Sequence, residues 1–307
     1  MERGRELVSP KQVAQAIGVS ESSLKRWCDQ GLISTVRTAG GHRKMPIADV
    51  LRFVRENNHP LASPEVLGLP PVGNTSRLGL ERGRAGLVDA LLAGDEGLSR
   101  QIVFDLYHAK HSLSVLCDEV IAAAFHDIGD RWACRTADVY QERRGCQIAL
   151  RILFELRRLQ PPSKTSWPAI GGTVEGDEYV LPSAMAELVL QDAGLLSSAL
   201  GTSIPFSSLI HAVQATRPKL FWLSVSYIRE GLDFLTGFSE LSRVCKGAGT
   251  VLVVGGKGLP GDLRKKMTFD CHCESMQQLE SVGRELVRSA DGPKPSGRRS
   301  SRKTGRS

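Results

Sequence analysis

Several things are missing from this chain of 307 residues. It has no apolar run approaching the ~18 residues that a membrane-spanning helix needs, so no span is expected. Its first residues, Met1 to Leu7, are charged and lack the apolar core of a secretory signal. The seven cysteines are an odd, scattered set, which argues against a disulfide framework and for reduced thiols in a cytoplasmic protein. There is no internal repeat. No Ser/His/Asp arrangement or catalytic carboxylate pair stands out, so an enzyme is not expected.

What is present is uneven charge. The net charge of +7 gathers at the two ends: residues 1–58 carry ten basic and six acidic side chains, and residues 291–307 carry six basic and one acidic. The body between them is near neutral. A basic front end and a basic tail predict contact with a polyanion.

Punctuation divides the chain into blocks. Residues 1–58 precede a stretch, 59–80, that holds Pro60, Pro64, Pro70 and Pro71 and reads as a linker. Across 81–162, apolar residues recur at helical spacing on four faces. Leu87, Leu91 and Leu92 mark the first, and Ile102, Val103, Leu106 and Tyr107 the second. Leu113, Leu116, Val120 and Ala124 mark the third, and Ile148, Ile152, Leu156 and Leu159 the fourth. Four such helices with short connections predict an antiparallel bundle. Over 163–290, strand-like runs at 169–173, 195–200, 220–225 and 251–254 alternate with helical segments at 184–192, 207–216 and 240–246, and a last helix is expected at 277–288. That alternation predicts a parallel sheet covered on both faces. Residues 291–307 read as a basic disordered tail. The expected class is therefore multidomain: a winged helix-turn-helix, a four-helix bundle and a flavodoxin-like parallel α/β domain.

In the first block, residues 10–17 form a short amphipathic helix stopped by Gly18, and Ser20 caps a second helix over 21–30. Leu24 and Trp27 turn inward, leaving Ser22, Ser23, Lys25 and Arg26 to face outward, the pattern of a helix that enters the major groove. Residues 37–43 then make a basic hairpin whose Gly40-Gly41 pair allows the positive φ of a tight turn, with Arg37, Thr38, His42 and Arg43 offering donors to a phosphate backbone. Residues 8–54 resemble the MerR family of winged-helix regulators in their Gly-Val-Ser turn, Lys-Arg-Trp segment, Gly-Leu break and Gly-Gly-His-Arg wing. The resemblance implies a double-stranded DNA operator and a homodimer or higher oligomer. The long dimerisation helix of metal-sensing members has no counterpart after the wing.

In the last block, Asp177, Ser224 and Gly255-Gly256 are separated by intervals similar to the Asp-x-His-x-x-Gly, Ser-x-Leu and Gly-Gly anchors of the cobalamin-binding domain shared with methionine synthase. Glu175 accompanies them. Trp132 and Glu142, with nine residues between them, resemble the upper-face pair of light-responsive, cobalamin-dependent MerR-type repressors. The resemblance implies a repressor with a corrin pocket between the bundle and the sheet. Four positions depart from the pattern: Tyr179 for the cobalt-ligating His, Pro182 for Gly, Ser226 for Leu, and Arg143 for the His that follows Glu142. A phenol of pKa near 10 is a poor ligand where an imidazole is a good one. The expectation is a DNA-binding regulator without His-ligated cobalamin. Cobalamin is retained only by some other mode, and the degenerate pocket is otherwise left for another small ligand or a protein partner. A corrinoid carrier with an incidental front end is the rival reading; such carriers use the His and have no use for the wing. Cys271-His272-Cys273 and the His108/His111 pair offer ligand atoms, and both read better as structural.

Overall fold

The computed structural model describes residues 6–71, 79–163 and 165–290. The basic tail, 291–307, lies outside them.

The front end folds because its caps are strong. Ser9 and Gln12 form a reciprocal capping box on α1 (Pro10–Ile17), and Gly18, at φ 75°, ends it. Ser20 caps α2 (Glu21–Asp29) by accepting from the Ser23 N–H. Three short strands follow the order β1 (Leu7–Val8), β3 (Arg43–Pro46), β2 (Val36–Arg37), all antiparallel. The hairpin of β2 and β3 is the wing. Helix α3 (Ile47–Glu56) starts directly from β3 and buries Val50, Leu51, Phe53 and Val54. Trp27 of α2 packs its ring 4.9 Å from that of Phe53.

The stretch expected as a linker is not a free tether over 59–71. Its Ala62 and Ser63 amides donate to the Ala16 carbonyl at the end of α1, a 3-10 turn spans Pro64–Leu67, and Leu67 and Leu69 are buried. Proline and glycine mark turns, but they do not stop intervening leucines from finding a core.

The bundle has four helical rods: α4 (Leu80–Ala93), α5 (Glu96–His108), a third rod, and α8 (Val139–Arg158). The third rod joins α6 (Leu113–Val115) and α7 (Ala123–Ala133) through a π-helical segment, Leu116–Ala122. Asp95, Ser112 and Asp138 cap the second, third and fourth rods with their side chains.

The α/β half holds a five-stranded, wholly parallel sheet in the order β5 (Leu196–Ile204), β4 (Pro168–Val174), β6 (Leu220–Ser224), β7 (Val251–Gly255), β8 (Cys271–Cys273). Counted within the domain this is 2-1-3-4-5, the flavodoxin order, with its switch point between β4 and β6. Helices α9 (Val180–Asp192) and α13 (Met276–Ala290) cover one face, through Ala186, Leu190, Leu279 and Val287. Helices α10 (Phe206–Thr216) and α11 (Phe234–Ala248) cover the other, through Leu209, Val213, Phe238 and Leu241.

Two expectations need correction. Strand β5 runs to Ile204 rather than 200, because a register irregularity at Gly201 lets the chain bend and continue. Strand β8, together with the short helix α12 (Gly261–Arg264), was not anticipated.

Helix α9 is buried nearly all round. Its Leu181, Met185 and Leu188 join a core that continues through the bundle to Val50 and Leu24 of the front end, while Ala186 and Leu190 face the sheet. Arg157 of α8 pairs with the buried Glu187 of α9 at 2.6 Å. Asp118 caps α13 by accepting from the Met276 and Gln277 amides at 2.7 and 3.0 Å. The bundle is thus seated on the α/β half. No helix of the described residues is long and apolar enough to cross a membrane.

Candidate DNA interface and cofactor-type crevice

On α2, Leu24 is buried and Trp27 half-buried, and this leaves Lys25 and Arg26 exposed on the opposite face. The Ser22 and Ser23 hydroxyls lie 2.8 and 3.0 Å from Ser20 Oγ, so part of their hydrogen-bonding capacity is spent on the cap. In the wing, the Gly41 amide donates to the Thr38 carbonyl at 2.8 Å and the Thr38 amide to the His42 carbonyl at 2.9 Å. Only Gly41 takes a positive φ, 78°; Gly40 does not, which corrects the expectation for the pair. Arg37 and His42 are exposed. Arg43 is not free: its Nη1 lies 3.1 Å from Asp29 Oδ1 at the end of α2, bracing wing against helix.

The second site is the carboxyl edge of the sheet at its switch point. The loop after β4 carries Glu175, Asp177 and Tyr179; the loop after β6 carries Ser226 and Tyr227; Gly255 and Gly256 end β7. Asp177 is fully buried. Its Oδ2 accepts from the Ser226 amide at 2.6 Å and the Tyr227 amide at 3.2 Å, and its Oδ1 from the Tyr179 amide at 3.1 Å. The carboxylate therefore sews the two loops together. Glu175 pairs with Arg229 at 2.7 Å, and the Arg229 stem lies over Gly176, where an added Cβ would sit 2.7 Å from it. Nothing local in the sequence links Glu175 to Arg229, so this second tie was not legible there.

The glycines of the Gly-Gly loop serve the chain's own backbone. A Cβ on Gly256 would meet the Val225 carbonyl oxygen at 2.2 Å, and the Gly258 amide donates to that same oxygen at 2.9 Å. Ser224 is buried at the end of β6. Pro182 sits in the first turn of α9, where the backbone N–H it lacks would have no helical acceptor.

Tyr179 is the N-cap of α9 and is 52% exposed, with no side-chain cap bond. Trp132, at the end of α7, is also 52% exposed. Glu142 lies half-buried in the first turn of α8, and Arg143 is exposed beside it. One contact that sequence reasoning missed spans the gap between bundle and sheet: Lys257 Nζ, after the Gly-Gly pair, lies 3.2 Å from His126 Nδ1 on α7.

This donor set does not fit a His-ligated corrin. The ligand position holds a phenol, the adjoining carboxylate already accepts from three amides, and the glycine cradle is filled by the β6 loop. Ser183 Oγ and Trp222 Nε1, buried without a hydrogen-bond partner, are a hydroxyl and an indole N–H, neither a good cobalt ligand.

The remaining candidates separate. Cys271 and Cys273 turn toward the α13 face of the sheet, whereas His272 contacts Arg264, so the three cannot converge on one ion. Burial pushes the Cys273 thiol up to about 11 and holds it protonated. His108 is half-buried in the wall of a cavity, and His111 gives its carbonyl to Arg55.

Known proteins bear on both ends. A family model described as a helix-turn-helix domain matches residues 7–58, and one described as a B12 binding domain matches residues 84–156, which is the helical bundle. The chain is 25% identical over 248 residues to the HTH-type transcriptional repressor CarH of Myxococcus xanthus, covering 75% of this chain and 82% of that protein. Among solved structures, the monomethylamine corrinoid protein of Methanosarcina barkeri superposes with a TM-score of 0.53 at 14% identity, covering 68% of this chain and all of that one. That likeness is one of fold. The chain joins a helix-turn-helix domain to a half built like the B12-binding proteins.

Proposed function

We propose that this chain is a sequence-specific, cytoplasmic DNA-binding repressor whose sensor half works without His-ligated cobalamin. Lys25 and Arg26 reach the groove or its phosphates, and Arg37, Thr38 and His42 hold the backbone from the wing; a dimer or higher oligomer reads a two-fold operator. Arg43 contributes by fixing the wing to α2 rather than by contacting DNA directly. The sensor half responds through what covers the switch point, another ligand or a protein, and catalyses no reaction.

The observation that carries the reading is the triple backbone ligation of Asp177 beside an exposed Tyr179. The carboxylate that would orient an imidazole is committed to holding two loops closed. A second reading keeps a corrin between bundle and sheet without a lower His; the match at 84–156 and the placement of Trp132 and Glu142 support it.

One spectrum decides between them. The full chain is incubated with adenosylcobalamin in the dark, desalted and scanned in the visible. Little retained corrin absorbance is expected. Stoichiometric retention would sink the first reading and establish the second. DNA reading is checked separately by a mobility shift on the protein's own upstream DNA.

A further inference from the structure

The seam between the DNA-reading domain and the bundle is not fully packed. A cavity of about 380 Å³ lies between α3 and the C-terminal end of α5, a size within the range of small-molecule sites. Leu51, Val54 and Leu61 give it apolar walls. Its charged lining groups are Arg55 and Lys110, accompanied by the imidazoles of His59 and His108, and no carboxylate lines it.

Both cations are held by neutral partners. The Arg55 guanidinium lies 4.5 Å over the Tyr107 ring, and its Nη2 donates to the His111 carbonyl at 3.2 Å. Lys110 donates to Asn58 Oδ1. Among the described residues neither is ion-paired. His108 Nε2 is buried with no hydrogen-bond partner. Burial, and then the nearby Arg55, push that imidazole down to about 4, so it is neutral at physiological pH. Two uncompensated positive charges, an unsatisfied buried nitrogen and an apolar wall converge on one volume.

We propose that this cavity binds a small organic anion, a carboxylate or phosphate monoester on an apolar body, with the acidic group on Arg55, His108 and Lys110 and the body against Leu51, Val54 and Leu61. Such a ligand bridges α3 of the DNA-reading domain and α5 of the bundle, and so tightens the seam between reader and sensor.

The test uses the full chain with imidazole-labelled histidine, followed by NMR during titration with benzoate, phenyl phosphate and the neutral benzamide. At least one anion is expected to move the His108 resonances saturably, with a dissociation constant about tenfold or more below that of benzamide. The tighter of the two anions identifies the acid. Arg55→Met should weaken binding by roughly tenfold and Lys110→Met by roughly threefold. Lys110 is exposed, so its substitution guards against a variant that fails merely because Arg55 also packs on Tyr107. The proposal is overturned if neither anion gives a saturable shift at about 10 mM, if benzamide binds as well as the anions, or if both variants bind like the native chain. The readout involves neither DNA nor corrin, so its failure leaves the proposed function standing.

Discussion

The two ends of this molecule use polar side chains in opposite ways. On α2 and the wing, Lys25, Arg26, Arg37 and His42 are exposed and unpaired among the described residues, so a polyanion can engage them at little cost. At the switch point, Asp177 and Glu175 are consumed by Ser226, Tyr227 and Arg229. The first surface is left open for a partner; the second has closed on itself while keeping the spacing of an open one. Anchor spacing therefore reports the fold, and the hydrogen bonds of the anchors report how firmly the loops at that edge are tied.

The largest effect should come from reopening the closed end. Asp177→Ala leaves the Tyr179, Ser226 and Tyr227 amides without their acceptor. At about 1–3 kcal/mol for each unsatisfied buried group, the loss should be about 3 kcal/mol or more. Hydrogen exchange reads it directly: those three amides should lose protection in Asp177→Ala, whereas Asp177→Asn, with its one acceptor oxygen toward the β6 loop, should protect the Ser226 and Tyr227 amides and not the Tyr179 amide. Unchanged protection in the alanine variant would show that the carboxylate is not the tie.

The open end should respond in binding and not in stability. Lys25→Ala with Arg26→Ala should weaken the shift of the upstream DNA by about 100-fold, at about 1–3 kcal/mol per lost groove contact. The melting curve should move by less than about 0.5 kcal/mol, because neither side chain is packed. A DNA shift that survives the double substitution would mean that α2 is not the reading helix.

The two glycine pairs repeat the contrast at smaller scale. Gly256 has φ 108° and its added Cβ would meet the Val225 oxygen at 2.2 Å, so Gly256→Ala should cost about 2 kcal/mol or more. Gly40 has ordinary φ and room, so Gly40→Ala should stay within about 0.5 kcal/mol. Denaturation of the two variants in parallel checks the difference; equal losses would break it.

Legibility followed the range of each interaction. The helix-turn-helix was readable because Gly18 and Ser20 act within three or four residues, and the bundle because apolar periodicity is local. Strand β8 was not: Cys271-His272-Cys273 is short, and its strand character comes from the ladder it forms with Val253, Val254 and Gly255. The packing of 59–71 was hidden by its prolines. The spacing of Asp177, Ser224 and Gly255-Gly256 was legible, but Arg43–Asp29, Glu175–Arg229 and His126–Lys257 were not, since each pair meets only in the folded chain.

The smallest effect is the most discriminating. Tyr179→His restores the imidazole that the spacing calls for, on a residue that is exposed and makes no side-chain cap bond. If the ligand alone were missing, this change would rebuild corrin retention. It should not, because the Asp177 carboxylate remains held by the Tyr179, Ser226 and Tyr227 amides, which fix its direction toward the two loops. The β6 loop still fills the glycine cradle, and Pro182 still starts α9. After dark incubation with adenosylcobalamin and desalting, the variant's visible spectrum should match that of the native chain. Full retention by Tyr179→His alone would show that the two loops part readily, and that the closed end differs from an open one by a single side chain.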